Sequence, residues 1–149
     1  MDQIRIREVA VIILGGFAFY YLHSNLVGLA AAIAAPDWFV PFMREHQVIG
    51  LVLFALVTTI PAAAIGAGIA GFVLSRFVDA RYFLTGLLTV CVAILAATIS
   101  VDYGFGFLGD LRRNALPSHW MDIPMIVVLW LFLPLAMLFF GNRKERERD

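Results

Sequence analysis

Charged residues are scarce in this chain and are confined to short segments between long apolar runs. Only 15% of its 149 residues are charged, whereas 62% are hydrophobic. A soluble domain spreads charges along every helix and strand, so this distribution is typical of a polytopic membrane protein and leaves no room for a soluble catalytic domain. The eleven basic and eleven acidic residues balance, which argues against nucleic acid as a partner.

Cysteine is nearly absent, since Cys91 is the only one. A single cysteine excludes an intramolecular disulfide and a Cys-x-x-Cys redox pair. The chain also lacks a His-Glu-x-x-His sequence, a P-loop and a serine–lysine dyad within an apolar run, so no enzyme class is indicated. No long apolar run contains Asp, Glu, Lys or Arg, the residues that ion-coupled transporters commonly use. We therefore expect neither an enzyme nor a bound cofactor.

The most informative stretch that is present runs from Val48 to Leu74. It holds twenty-seven residues without a charge, which at about 1.5 Å per residue is enough to cross a bilayer. Its second half contains two lines of small residues spaced four apart: Ala62, Gly66 and Ala70, and Ala63, Ala67 and Gly71. Such lines let another helix approach closely. We expect this span to be the central packing helix.

Four apolar runs predict four transmembrane helices, at about residues 9–29, 48–74, 82–100 and 123–140. The fold class is thus an all-α integral membrane protein, a four-transmembrane-helix bundle in one domain. Because Ser75–Arg81 is short, the second and third spans are expected to form a tight antiparallel hairpin. Their small residues would then face each other, with Ala63, Ala67 and Gly71 on one helix and Gly86, Ala93 and Ala97 on the other.

Two prolines lie inside the predicted spans. Pro61 removes a backbone donor and should bend the second span between Val57 and Pro61, where Thr58 or Thr59 can bond the freed carbonyl. Pro134 should kink the fourth span.

Three segments are expected outside the spans. Ala30–Gln47 contains prolines and aromatic residues suited to the headgroup layer. Val101–Asp122 is the longest loop, and Gly141–Asp149 is expected to be a solvated tail.

Basic residues are distributed unequally between the two sides of the membrane. Eight Lys and Arg residues fall at the N-terminus, in the connection at residues 75–81 and in the C-terminal tail, whereas three fall in the other two loops. The positive-inside rule then places both termini in the cytoplasm. We expect a multi-pass protein of a bacterial-type inner (plasma) membrane, with the lipid bilayer as its surroundings.

His23 is the only ionisable residue, apart from tyrosine and cysteine, well inside a span. Such a residue is a candidate functional site, and with Asn25 it could form a polar intramembrane site. It could relay a proton or ligate a metal or haem, but we favour a hydrogen-bonding strut to a neighbouring helix. His46 and His119 are expected at the outer surface, too far away to complete a haem pair.

Acidic and histidine side chains in the two outer loops are the remaining candidates for a metal or catalytic site. They are scattered without any recognisable ligand spacing, so we expect a solvated surface rather than a metal site. The residues concerned are Glu45, His46, Asp102, Asp110, His119 and Asp122.

Packing surfaces without coupling charges favour a non-catalytic function. We expect a small membrane protein that acts through lateral helix–helix contacts, with another membrane protein or a second copy as partner. It would serve as an accessory subunit of a membrane complex or as an immunity-type protein that binds a toxin. The alternative is a small oligomeric transporter or channel that uses His23 and the two proline-kinked helices. An enzyme built on His23 or on the acidic loop residues is the weakest hypothesis.

Overall fold

The computed structural model describes residues 3–33, 35–101 and 104–147, and over these residues it contains helices and no strands. Four segments are long and apolar enough to cross a membrane: Ile6–Ala31, Gln47–Ser75, Tyr82–Ser100 and Ile123–Arg146. The prediction of an all-helical chain with four such helices is confirmed. The helices are α1 (Gln3–Ala31), α2 (Phe39–Glu45), α3 (Gln47–Phe54), α4 (Ile60–Ser75), α5 (Tyr82–Ser100), α6 (Phe107–Ala115) and α7 (Ile123–Arg146).

The spans do not pack in the order of the sequence. Helix α1 lies against α4 and α5, and α7 lies against the same two helices. Going round the assembly, the order is therefore α1, α4, α7, α5. Within the described residues α4 and α5 share no substantial contact, so the predicted hairpin of the second and third spans is wrong.

Gly71 of the second span and Gly86 of the third pack against α7 instead of against each other. A methyl group on Gly71 would lie 2.6 Å from Cβ of Ala136, and one on Gly86 would lie 2.6 Å from Cα of Pro134. Small residues allow the backbone of a neighbouring helix to approach closely, and at these two positions that neighbour is α7. Of the six residues predicted to pair, five are buried and one is half-buried: Ala63, Ala67, Gly71, Gly86 and Ala93, and then Ala97.

The connection between α4 and α5 crosses the end of the assembly. Val78 is fully buried there, and Lys144 of α7 forms hydrogen bonds with the connection. The Lys144 ammonium donates hydrogen bonds to the carbonyl oxygens of Arg76 at 3.3 Å and Val78 at 2.9 Å, and to the Asp79 carboxylate at 3.2 Å. Arg7 of α1 lies 3.5 Å from the same carboxylate. Lys144 thus links α7 to the connection between α4 and α5, two helices that are not neighbours in the assembly.

Helix α7 is longer than the fourth span predicted from the apolar run. It continues to Arg146, because Gly141 is buried at the point where the ring of Tyr82 packs against it. The tail is therefore helical up to Arg146; Asn142, Arg143, Glu145 and Arg146 are exposed, as predicted for a solvated end, whereas Gly141 is buried and Lys144 is half-buried.

The second span contains a turn of π-helix at Ala55–Thr59, between α3 and α4. This lies next to Pro61, where the proline was expected to disturb the helix. The Thr58 hydroxyl donates to the carbonyl of Phe54 at 2.6 Å. It was expected to bond the carbonyl that Pro61 leaves free, which is that of Val57. A threonine hydroxyl in a helix commonly bonds the carbonyl four residues before it, as Thr89 and Thr98 also do, and this explains the difference.

The longest predicted loop also contains ordered helix. Helix α6 lies in its middle, and a short 3₁₀ turn at Trp120–Asp122 precedes α7. The Asn114 amide donates to the Thr98 hydroxyl of α5 at 3.1 Å, and the Trp130 indole of α7 donates to the carbonyl of Ala115 at 2.9 Å. These two bonds fix α6 across one end of α5 and α7.

Candidate functional site

His23 lies on the face of α1 that points into the assembly. Its ring centroid is 5.6 Å from that of Phe19, which is 2% exposed. The ring nitrogen Nδ1 is buried, and it has no hydrogen-bond partner among residues 3–33, 35–101 and 104–147. The expected strut to a neighbouring helix is therefore not found in the described part of the chain.

Helices α1 and α5 approach most tightly near Gly16. A methyl group there would lie 2.5 Å from Cβ of Val92 and 3.0 Å from the carbonyl oxygen of Thr89. One to two turns further along α1, the side chains enclose a cavity of about 310 Å³. The close contact at Gly16 thus lies one to two turns of α1 away from the cavity.

The cavity has mainly apolar walls with a few polar groups at one end. Four polar side chains line it: Tyr20, His23 and Ser24 of α1, and Asn114 of α6. The remaining walls come from Phe19, Ala93, Ile94, Ala97, Val101 and Leu129. All of these described lining residues are uncharged. A mostly apolar cavity with a few converging polar groups is the usual form of a small-molecule site.

Asn114 lines the cavity from α6, and a hydrogen bond to α5 fixes its side chain. Its amide donates to Thr98, and the Thr98 hydroxyl donates in turn to the carbonyl of Ile94 at 2.8 Å. A side chain fixed in this way can offer its remaining amide hydrogen and its carbonyl oxygen in a constant direction.

Asn25 does not join His23 in the cavity. It is exposed on the outside of α1, where its amide donates to the carbonyl of Tyr21 at 2.7 Å. The predicted pairing of His23 with Asn25 is therefore wrong, because residues two apart on a helix point in different directions. Sequence reasoning missed Tyr20 and Ser24, although Tyr20 lies three residues before His23 and four before Ser24, spacings that place it beside both on the helix. Asn114 comes from a distant segment, and no local signal identifies it.

The outer face of α1 consists of Ala18, Tyr21, Asn25 and Gly28. All four residues are exposed, and their three- and four-residue spacing puts them on one side of the helix. A methyl group on Gly28 would meet nothing within 4 Å. This face therefore combines a side-chain amide with a glycine that no part of the described chain covers.

The described acidic and histidine residues of the segments before α3 and after α5 are not among the residues that line this cavity. The Asp122 carboxylate accepts hydrogen bonds from the backbone N–H groups of Ser118 at 3.0 Å and His119 at 2.9 Å, so it caps a local turn. Asp110 is buried on α6, and Asp102 lies outside the described residues.

His23, its cavity and the outer face of α1 are the candidate functional features of the molecule. Metal ligation is not among them, because no group of three or more His, Cys, Asp or Glu side chains comes together in the part of the chain that the structure describes. Comparison of the chain with known protein families, with curated protein sequences and with solved structures finds no match in any of the three.

Proposed function

We propose that this protein acts through lateral contact between its first helix and a transmembrane helix of another protein. It would serve as an accessory subunit of a membrane complex or as an immunity-type protein that binds a membrane-targeted toxin. The proposal includes a four-helix bundle in a bacterial-type inner membrane with both termini in the cytoplasm. The partner helix would lie on the outer face of α1.

The observation that carries this proposal is the polar character of an exposed helix face. Asn25 has one hydrogen bond to its own helix, and the rest of its amide points away from the protein. Lipid supplies no partner for such a group, whereas a neighbouring helix can. Gly28 lies one turn further along and leaves space for close approach. A side-chain amide next to a glycine with free space around it favours contact between two helices in a membrane.

The proposed orientation is supported by the basic residues at one end of the assembly. Arg7 and Lys144 both contact Asp79, so the start of α1, the α4–α5 connection and the end of α7 lie together. These are the segments that carry eight of the eleven basic residues. The positive-inside rule assigns such an end to the cytoplasm.

Photo-crosslinking tests the contact directly. With a benzoyl-phenylalanine in place of Tyr21, irradiation of intact cells should link the protein to one discrete membrane protein. Gly28→Leu should reduce the yield at least about fivefold, since its larger side chain occupies the space that the partner needs.

The control variants use the exposed side of α4. Ile65 is 57% exposed, and the same photoreactive group there should give lipid adducts. A methyl group on Gly68 also meets nothing within 4 Å, so Gly68→Leu should leave the crosslink from position 21 unchanged. A crosslink between two copies would identify self-association. Lipid adducts from position 21 as well as position 65 would contradict the proposal.

A second candidate function is supported by the position of His23 beside the cavity. A small oligomeric transporter or channel would use the histidine and the two proline-containing spans for gating. The closed contact at Gly16 and the absence of charged lining residues among those described argue for the lateral-contact function instead.

Ion flux distinguishes the two candidates. We expect liposomes that contain the purified protein to show no proton or ion flux above that of empty liposomes. A transporter would need His23 to change its protonation or coordination, so His23→Asn would abolish flux. Flux through the unaltered protein that is lost in His23→Asn would replace the lateral-contact proposal.

A further inference from the structure

The cavity beside His23 combines one buried polar atom that has no partner in the described chain with further polar side chains and mostly apolar walls. Nδ1 of His23 is buried and has no partner in the described chain, and Asn114 retains bonding capacity beyond its contact with Thr98. Ser24 adds a hydroxyl. We infer that this cavity binds the uncharged, oxygen-bearing head of a lipid-soluble molecule. This is an activity beyond the proposed lateral contact and independent of it.

The ligand head is uncharged because the walls are uncharged. Not one of the described lining residues carries a formal charge, so an anionic or cationic head would lose its hydration without gaining a counter-ion. Such a loss is far larger than the gain from a few hydrogen bonds to neutral groups. A hydroxyl or a carbonyl can be bonded fully by imidazole, hydroxyl and amide groups.

The cavity accommodates a head group rather than a whole lipid. Its volume of about 310 Å³ is at the lower end of the roughly 300–1,000 Å³ of small-molecule sites. Ser24 of α1 and Val101, just after α5, line the cavity and are exposed. The head would therefore enter between α1 and α5, with its apolar tail remaining in the bilayer.

A plain hydrocarbon chain fits the volume but not the chemistry. It would cover His23, Ser24 and Asn114 without bonding any of them, and each buried polar group left unbonded costs free energy. Apolar walls of Phe19, Ile94 and Leu129 in turn favour an amphiphile over water alone. The polar groups and the apolar walls together favour a ligand that is polar at one end and apolar at the other.

Histidine-ring NMR tests this inference on the whole protein in lipid nanodiscs. With ¹⁵N-labelled histidine the chain gives signals from three rings, of which His46 and His119 are exposed and outside the cavity. Two probes are added separately: 1,2-dioctanoylglycerol, which offers a hydroxyl, and a decyl-substituted benzoquinone, which offers carbonyls. At least one should shift the His23 signals saturably, and the one that does so identifies the type of head. Dodecane and dodecyl phosphate should bind at least about tenfold more weakly.

Cavity variants separate specific binding from general contact with amphiphiles. Ala97→Leu fills the space and should abolish the shift, whereas Ile99→Phe, which enlarges a side chain that is 73% exposed and outside the cavity lining, should not. If Ala97→Leu lowers the melting temperature too far for measurement, Ser24→Ala decides, with binding about two- to tenfold weaker. Equal shifts from dodecane, unchanged binding in Ser24→Ala, or no shift from either probe because water alone occupies the cavity would overturn the inference.

Discussion

Replacing Gly71 by leucine is expected to lower the free energy of unfolding by about 1–3 kcal/mol, the usual cost of overpacking a tight contact. A first side-chain carbon there would lie 2.6 Å from Cβ of Ala136 and 3.0 Å from two backbone atoms of α7. Backbone atoms of a helix cannot move aside as a flexible side chain can. Helices α4 and α7 would have to separate, and dispersion contacts along the whole interface would weaken.

The matched control for Gly71→Leu is Gly68→Leu on the same helix. It introduces the same side chain at a position where nothing lies within 4 Å, so its effect should stay within about 0.5 kcal/mol. Unfolding of both variants by sodium dodecyl sulfate in mixed micelles gives the difference. Equal stabilities of the two variants would contradict the α4–α7 contact.

Replacing Lys144 by methionine is expected to lower the free energy of unfolding by about 1.5–3 kcal/mol, as for other hydrogen bonds to a charged group. The Lys144 side chain is only 14% exposed, and it bonds the carbonyl oxygens of Arg76 and Val78. Methionine retains most of the apolar length of lysine but leaves both carbonyls without this donor. The ion pair with Asp79 adds less, because that carboxylate is 51% exposed.

Arg143→Met is the control for the loss of one positive charge in the same turn of α7. Arg143 pairs with Glu147 at 3.0 Å on an exposed surface, where such pairs contribute about 0.3–0.5 kcal/mol. The two variants can be compared by the same detergent titration, with limited proteolysis at residues 76–81 as a second measurement. If the connection is cleaved no faster in Lys144→Met than in Arg143→Met, Lys144 does not hold it.

The helices themselves could be predicted because hydrophobic length is a local property. The four apolar runs correspond to the four helices long enough to cross a membrane, and the small residues of the second span are buried. The partner of that span could not be predicted. Gly71 lies against Ala136 of α7, but a line of small residues allows close approach by any helix, and loop length favoured the wrong neighbour.

The candidate site shows the same limit at the level of single side chains. His23 stands out in the sequence because ionisable groups are rare in spans, but its surroundings come from four separate helices. Asn114 is held there by the hydrogen bond that its amide donates to Thr98 and by the bond that Trp130 of α7 donates to the carbonyl of its neighbour Ala115. Such bonds depend on tertiary structure, so the sequence could indicate the histidine without indicating the cavity.

The spatial order α1, α4, α7, α5 also determines when each helix–helix interface is completed during synthesis at the ribosome. Helix α4 can meet α1 as soon as it has been inserted, but its closest contact, at Gly71, requires Ala136 of α7. At about 5–20 residues per second, that partner emerges seconds later. During this interval the side of α4 around Gly71 is open to lipid, to a chaperone or to the insertion machinery. The last helix to be translated therefore completes the packing of the second.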